Sequence, residues 1–338
     1  MEAPARPTGE ERPPSSPFDI DRLVVLPRPL LLALIAGLAS LVVFASFPPR
    51  PVIFHVLQKL AHPTVFGVIA VSVLVLELQQ APPRRRAWLG YLIAFAVAVA
   101  LGGLTEILQN FTHRDPSLRD VGLDARGALC ALLFAAVFDR RLCSDVRPRL
   151  TRAVYLALGA VLAVVICIPL GWAVASYANR YRNFPVLFTP ASRLDLYFIA
   201  ADLHPATRVA LAGPDAGRYA LRVPLVERPY AGVSFFEPSP DWRGYSTLVV
   251  DVTNPGTVEL KLSVRVHDRH HNWTYIDRYT GEFPIAPGER RVIAIPLAAI
   301  ESAPHGRSMD MAHIAGVMLF RAGAGGPPAF LLHGMALQ

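Results

Sequence analysis

The 338 residues are 53% hydrophobic with a mean hydropathy of +0.37, which leaves room for a membrane bundle and one soluble domain and excludes a wholly soluble chain. The formal charge of +7 is almost all arginine, clustered beside apolar segments, so membrane topology accounts for it and nucleic acid is not an expected partner. Cys130, Cys143 and Cys167 lie in or between apolar segments and none follows residue 170, which excludes a disulfide framework or a cysteine zinc site in the second half.

Residues 1–29 open with a Pro-, Ser-, Glu- and Arg-rich run without apolar periodicity and read as a disordered cytoplasmic tail. Five apolar spans follow at 30–47, 63–78, 88–108, 123–138 and 154–178, so that residues 30–178 form a membrane α-helical bundle. The first is read as a retained span, because no charged n-region, short apolar run and cleavage site open the chain. Arg84, Arg85 and Arg86 between the second and third spans, and Arg140, Arg141, Arg147, Arg149 and Arg152 between the fourth and fifth, mark cytoplasmic loops. The N-terminus is then cytoplasmic and the C-terminal domain lies outside a bacterial inner membrane.

The stretch from Thr105 to Gly127 sets polar groups against the ends of two spans, where they are costly and usually have a task. Glu106 and Gln109 share a helix face, as do Asp124 and Gly127; Lys59 and His62 repeat the spacing before the second span. With spans that alternate in direction, these three segments converge on one polar pocket on the outer side of the membrane. Glu106 there is either a general acid or base or an ion-pair partner of Lys59 or Arg114. His62 is a proton carrier near neutrality, with Asp120 beside it, although a lone interfacial histidine is more often simply hydrogen-bonded. His62, Glu106 and Asp120 also make a metal-type donor set, but none is assigned. Arg114 suits a phosphate or carboxylate head group, and ordinary pairing with Asp120 or Glu106 competes with that role. Ser117 follows Pro116 outside any nucleophile elbow and serves equally as a turn or cap.

The ordered set of Lys59, Leu60, Ala61 and His62, then Glu106, Gln109, Arg114, Ser117, Asp120 and Gly127, resembles the VanZ-like family of small bacterial membrane proteins. The resemblance covers roughly residues 30–138. It departs at Asp124, where the family usually has Asn, and at Pro63, where an aromatic is usual. The family's molecular activity is not established, so the resemblance implies a place in the cell envelope more than a reaction.

Residues 179–192 are polar and proline-containing and read as a linker, after which the period changes. Apolar Val258, Leu260, Leu262, Val264 and Val266 alternate with Glu259, Lys261, Ser263, Arg265 and His267, the pattern of a half-buried strand. Further strands are expected at 248–252, 292–297, 317–320 and 330–337, separated by turn signals such as Asn254-Pro255-Gly256 and Pro287-Gly288. Residues 193–338 therefore read as a single all-β jelly-roll sandwich. The segments YAGVSFF, DWRGYSTLVVDVTN, HDRHHNWTYIDRYTGEF and HGRSMDMAHIAGVMLF resemble the galactose-binding-like jelly rolls found as carbohydrate-binding modules. Trp273 and Tyr275 are the expected stacking groups for a sugar ring, with Asp268, Asp277 and Arg278 reaching hydroxyls. Trp242 is read as packing under a loop. His267, His270 and His271 cannot all face one ion from a strand end.

The sequence thus describes an envelope membrane protein that binds, and in one reading modifies, a glycan or glycolipid. Glu106, His62 and Asp120 would do the chemistry, and Lys59, Gln109, Arg114, Ser117 and Asp124 the holding. Membrane lipids and an envelope glycan or lipid-linked saccharide are the expected partners, and no cofactor is named. The competing reading is a non-catalytic membrane-anchored sensor or scaffold. A transporter is disfavoured because the spans lack polar residues along their middles.

Overall fold

The computed structural model describes residues 24–45, 48, 51–80, 86–112, 117–143, 147–201, 205–323 and 325–338. Arg84, Arg85, Arg114 and residues 1–23 of the expected tail lie outside these. The chain divides into two compact units, Met1–Pro49 with Phe54–Leu170, and Arg50–Ile53 with Gly171–Gln338.

The first unit is built from α1 (Arg28–Phe44), α2 (Ile53–Gln80), α3 (Ala87–Gln109), α4 (Leu118–Phe138) and the first part of α5 (Pro148–Asn183). Among the described residues, α2 to α5 are long and apolar enough to cross a membrane. The expected first span is shorter than the others: α1 has 17 residues, about 25 Å at 1.5 Å per residue, against a hydrocarbon core of about 30 Å. Its start is tied down, because the Gln79 side chain donates to the Leu26 carbonyl at 2.7 Å and accepts from Arg28 Nε at 3.2 Å.

The structure starts the second helix ten residues before the expected span at 63, with Pro63 inside it. The apolar pattern begins at Pro63, but the helix-forming run VLQKLA carries the helix upstream, and the proline removes only one backbone donor. Helix α2 is the centre of the bundle: Phe66, Ile69, Ala70 and Leu74 pack on Val42 of α1, Ala94 and Ala98 of α3, and Ala128 and Leu132 of α4. Small residues let the backbones meet. A Cβ on Gly127 would collide with the Pro63 carbonyl, and one on Gly67 would sit 3.1 Å from Ala131 Cβ. Helix α5 instead exposes Val161, Val164 and Ile168, apolar surface that suits lipid and not water.

Eleven strands are described in the second unit: β1 (Val186–Phe188), β2 (Ile199–Ala201), β3 (Thr207–Ala210), β4 (Tyr219–Pro224), β5 (Gly232–Phe236), β6 (Thr247–Thr253), β7 (Leu260–Asp268), β8 (Tyr279–Ile285), β9 (Arg290–Pro296), β10 (Ile314–Arg321) and β11 (Ala329–Leu337). A short helix α6 (Leu297–Glu301) follows β9. One antiparallel sheet runs β3-β4-β11-β6-β9 with β1 added to β11, and the other runs β2-β5-β10-β7-β8. Leu221, Val250, Ile293 and Phe330 from the first sheet share one core with Val233, Val264 and Leu319 from the second, giving a β-sandwich. Strand β7 is the one the alternation announces, and β6, β9, β10 and β11 coincide with the further expected strands. The others are too short, or too rich in Gly and Pro, to show a period. Trp242 is fully buried, its indole N–H donating to the Ser239 carbonyl at 2.8 Å.

The expected linker at 179–192 is ordered. Helix α5 continues to Asn183 and β1 pairs Val186 with Ala336. Polar residues at its start are anchors within the second unit: Asn179 donates to Asp195 at 2.6 Å, and Arg180 to the carbonyls of Phe236 and Glu237 while stacking 3.2 Å from the Phe198 ring centroid; just before them, Tyr177 Oη donates to Glu237 Oε2 at 2.6 Å.

The glycine contacts give a paired prediction. Gly127→Ala should lower the melting temperature and yield of the detergent-solubilised protein, because Pro63 leaves no room. Gly103→Ala, on a face of α3 with nothing within 4 Å, should be neutral or stabilising by about 0.5–1 kcal/mol. Equal melting temperatures for the two variants would contradict this account of the α2–α4 contact.

Candidate functional site

Among the described polar residues of the bundle, His62 on α2, Glu106 near the end of α3 and Asp124 near the start of α4 converge. All three are buried, 4%, 4% and 0% exposed, and one ligand-type atom from each lies within 4.8 Å of the others. His62 Nδ1 and Asp124 Oδ1 are 3.1 Å apart. Glu106 Oε2 accepts the N–H of Ser117 at 2.7 Å. The remaining oxygens, Glu106 Oε1 and Asp124 Oδ2, are buried and make no hydrogen bond among the described residues. Such atoms are rare in folded proteins and need an explanation.

Local sequence explains the convergence. Gly102, one turn before Glu106, leaves space for the Asp124 carboxylate: a Cβ there would stand 2.8 Å from Asp124 Oδ2. Ser117 caps α4 from an extended backbone and its side chain makes no cap bond, so its role here is the N–H given to Glu106. The partner of His62 is Asp124. Asp120 lies one turn earlier on α4, partly exposed, with its charge in electrostatic reach of the three. Lys59 is exposed one turn before His62. Gln109 is buried and donates to the Val42 carbonyl of α1 at 3.1 Å, a tie between helices. Arg114 lies outside the described residues. An apolar cavity of about 560 Å³ lies beside the α2–α4 contact, lined by Leu31, Leu34, Val68, Val71, Phe134 and Ile166.

In the sandwich, Leu260, Leu262, Val264 and Val266 of β7 enter the core, so Ser263, Arg265 and His267 point out of the sheet. The loop 269–278 folds over that outer face. The rings of His267, His271 and Trp273 pack at centroid distances of 5.1, 5.4 and 6.2 Å. Gly316 on β10, opposite His267, gives that ring its room. Arg265 Nη2 meets His271 Nε2 at 3.1 Å; a guanidinium only donates, so Nε2 accepts and Nδ1 carries the proton given to the Asp277 carbonyl at 2.8 Å. Trp273 has φ +68°, an uncommon backbone state for a bulky residue, held by the turn in which Asn272 Oδ1 accepts from Thr274. It is 75% exposed, Tyr275 is 66% exposed, and Arg278 lies 5.0 Å over the Tyr275 ring.

Four buried polar atoms at this face make no hydrogen bond among the described residues: Ser263 Oγ, Arg265 Nε, Thr280 Oγ1 and Arg278 Nε. Thr280 stands directly opposite Arg265 in the β7–β8 register. Burial, and then the neighbouring Arg278 charge, push the Arg265 guanidinium down to about 10. Neither arginine pairs with an acid among the described residues.

Asp268 and Asp277 have a different position from the expected hydroxyl contacts. Both are buried and held by Arg307, which gives Asp268 bonds of 2.6 and 2.9 Å and Asp277 one of 2.6 Å. Asp268 also accepts from the N–H groups of His270 and Asp310, and Asp277 from Asn272. The two carboxylates brace the Trp273 loop from beneath. Arg307, Ser263, Arg265 and Thr280 are site residues the sequence reading did not single out. The outward parity of β7 is the signal for Ser263 and Arg265; Arg307 has none, since it lies in an aperiodic segment.

No protein-family model and no curated protein matches the chain, so the resemblance of residues 30–138 rests on its own residues. Among solved structures the chain is similar to an exo-β-agarase at 15% identity, 42% of this chain and 23% of that one, TM-score 0.34. It is also similar to a family 11 carbohydrate-binding module from Clostridium thermocellum in complex with a β-1,3-1,4-mixed-linked tetrasaccharide, at 12% identity, 41% and 86% coverage, TM-score 0.33. A third is the CBM22-1 xylan-binding domain from Paenibacillus barcinonensis, at 12% identity, 45% and 93% coverage, TM-score 0.33. The chain thus spans under a quarter of the length of the agarase.

The brace makes a pH prediction. Hydrogen bonds from Arg307 hold Asp277 down to about 2, and at Asp268 the same guanidinium and two N–H groups outweigh the opposing effect of burial. Both folded values lie below the ordinary carboxylate value of 3.8. Their contribution to stability is therefore complete above that value and lost as pH falls toward about 2. Arg307→Ala should cost the sandwich about 2–4 kcal/mol at pH 7 by leaving buried carboxylates unpaired. Melting curves from pH 7 to 2.5 should show a smaller acid loss in the variant than in the wild type; parallel acid limbs would contradict the brace.

Proposed function

We propose that the protein is a bacterial cell-envelope membrane protein, VanZ-like in its first half, that binds an anionic envelope glycan or glycolipid through the outer face of the β2-β5-β10-β7-β8 sheet. The carrying observation is the combination at that face of two arginines without an acidic partner and hydroxyls at Ser263 and Thr280 without a hydrogen bond, both among the described residues, and the exposed rings of Trp273 and Tyr275. Exposed aromatic faces stack on sugar rings, the hydroxyls answer sugar hydroxyls, and the guanidiniums answer a carboxylate or phosphate. The arginine-rich segment between α4 and α5 supports a cytoplasmic position for that loop and an extracytoplasmic one for the sandwich. The polar pocket of the bundle would take the charged head of an amphiphilic envelope molecule. Glu106 would act as acid or base or as an electrostatic contact, and the neighbouring apolar cavity would hold an acyl chain.

A direct test measures binding of acidic and neutral bacterial polysaccharides to the full-length protein in lipid nanodiscs. Acidic glycans should bind, more weakly at high salt, and Trp273→Ala should weaken them about tenfold or more with no change in melting temperature. Wild-type affinity in Trp273→Ala, or preference for neutral glycans, would refute the reading.

The second reading, a scaffold or sensor without chemistry, draws on the His62–Asp124 and Glu106–Ser117 bonds, which lock the helices. Lipid and lipid-linked glycan profiles of cells separate the two. Under the pocket reading, deletion and Glu106→Gln at equal membrane abundance shift the same species. Under the scaffold reading Glu106→Gln behaves as wild type.

A further inference from the structure

The unpartnered oxygens of the bundle, Glu106 Oε1 and Asp124 Oδ2, belong to one buried cluster with His62. Two carboxylates and one imidazole, all at least nine-tenths buried, carry at most one compensating positive charge between them. Charges buried in apolar surroundings are paired or coordinate a metal. Among the described residues no lysine or arginine side chain reaches Glu106 Oε1 or Asp124 Oδ2, and neither oxygen accepts a hydrogen bond. A dication is the group that neutralises two carboxylates outright, and it uses the lone pairs left over.

We infer that His62, Glu106 and Asp124 form a binding site for one divalent transition-metal cation, of the zinc or manganese class. The donors set the class. One imidazole nitrogen with carboxylate oxygens suits first-row ions of intermediate hardness, whereas magnesium and calcium prefer shells made of oxygen alone. The separations fit. The Nδ1–Oδ1 distance of 3.1 Å, a hydrogen bond in this structure, is also the length of an edge between two ligands each about 2.0–2.2 Å from a shared ion, so that binding through Nδ1 releases the proton of that bond. The wider spread of up to 4.8 Å in the set closes with a rotation of a carboxylate. The supporting shell is present as well: the Ser117 N–H orients Glu106, and Gly102 leaves the space that Asp124 occupies. Three protein ligands leave a coordination position open, as in catalytic and not structural sites, and a water or the phosphate oxygen of a head group would fill it. The site stands on bundle geometry alone and does not depend on what the sandwich binds.

The test uses the full-length protein in detergent, with its purification tag removed, stripped with EDTA, loaded with zinc chloride or manganese chloride in separate runs and desalted. Metal analysis should find about one equivalent per chain, falling about tenfold or more in Glu106→Gln and Asp124→Asn. Glu106→Gln keeps an acceptor for the Ser117 N–H, so it tests the site even where Asp124→Asn does not fold. His270→Ala, which removes an exposed sandwich histidine, should leave the stoichiometry unchanged. The X-ray absorption spectrum of the zinc-loaded wild type should show one imidazole with oxygen donors and no sulfur. Substoichiometric metal in the wild type, full retention in folded Glu106→Gln, or a shell with sulfur or several imidazoles would overturn the inference.

Discussion

The bundle depends on a close approach. Gly127 lies against the carbonyl of Pro63, and that contact brings α4 near enough to α2 for Asp124 to reach His62. Helices in lipid gain little from burying apolar surface against one another, so small residues that let backbones touch and polar groups that bond across the gap hold them together. Here the two devices share one place. The same approach that packs the helices also forces carboxylates into the interior, and the carboxylates then need partners.

In the sandwich the comparable constraint is Arg307. The loop between β7 and β8 carries a tryptophan in a left-handed backbone conformation, with its ring exposed. A loop of that shape keeps one conformation only if something beneath over-determines it. Arg307 does so by joining Asp268 at the end of β7 to Asp277 before β8, so both ends of the loop are fixed to one guanidinium. The aspartates have spent their lone pairs on structure; the arginines nearby have donors to spare.

The two units are therefore complementary in what they leave unfilled. In the bundle the atoms without a hydrogen bond among the described residues are acceptors, Glu106 Oε1 and Asp124 Oδ2, which suit a cation. In the sandwich they are donors from Arg265 and Arg278 together with the hydroxyls of Ser263 and Thr280, which suit an anionic, hydroxyl-rich ligand. Each unit also presents its apolar surface to a different medium: α5 exposes Val161, Val164 and Ile168, while the sandwich seals Trp242 and Phe330 inside.

Much of this was legible in the sequence. Apolar runs of membrane length and strict alternation in β7 are local, periodic signals, and they separate a helical half from a β half. The i,i+3 pairs at Lys59–His62 and Glu106–Gln109 marked polar helix faces in the same way, the second at the end of α3 and the first inside α2. What the sequence left undecided was pairing. Asp120 and Asp124 lie one turn apart on the same helix, and only the packing of α4 on α2, close at Gly127, selects Asp124 as the partner of His62. Lys59 and His62 are likewise one turn apart, yet one is exposed and the other buried. Asp268 and Asp277 read as ligand contacts because they flank aromatics; Arg307, thirty residues beyond Asp277, turns them into supports. The polar run at 179–192 read as a linker until the pairing of Val186 with Ala336, a partner 150 residues away, made it part of a sheet. Periodicity is written along the chain, whereas a hydrogen bond between distant residues depends on where the fold carries each of them.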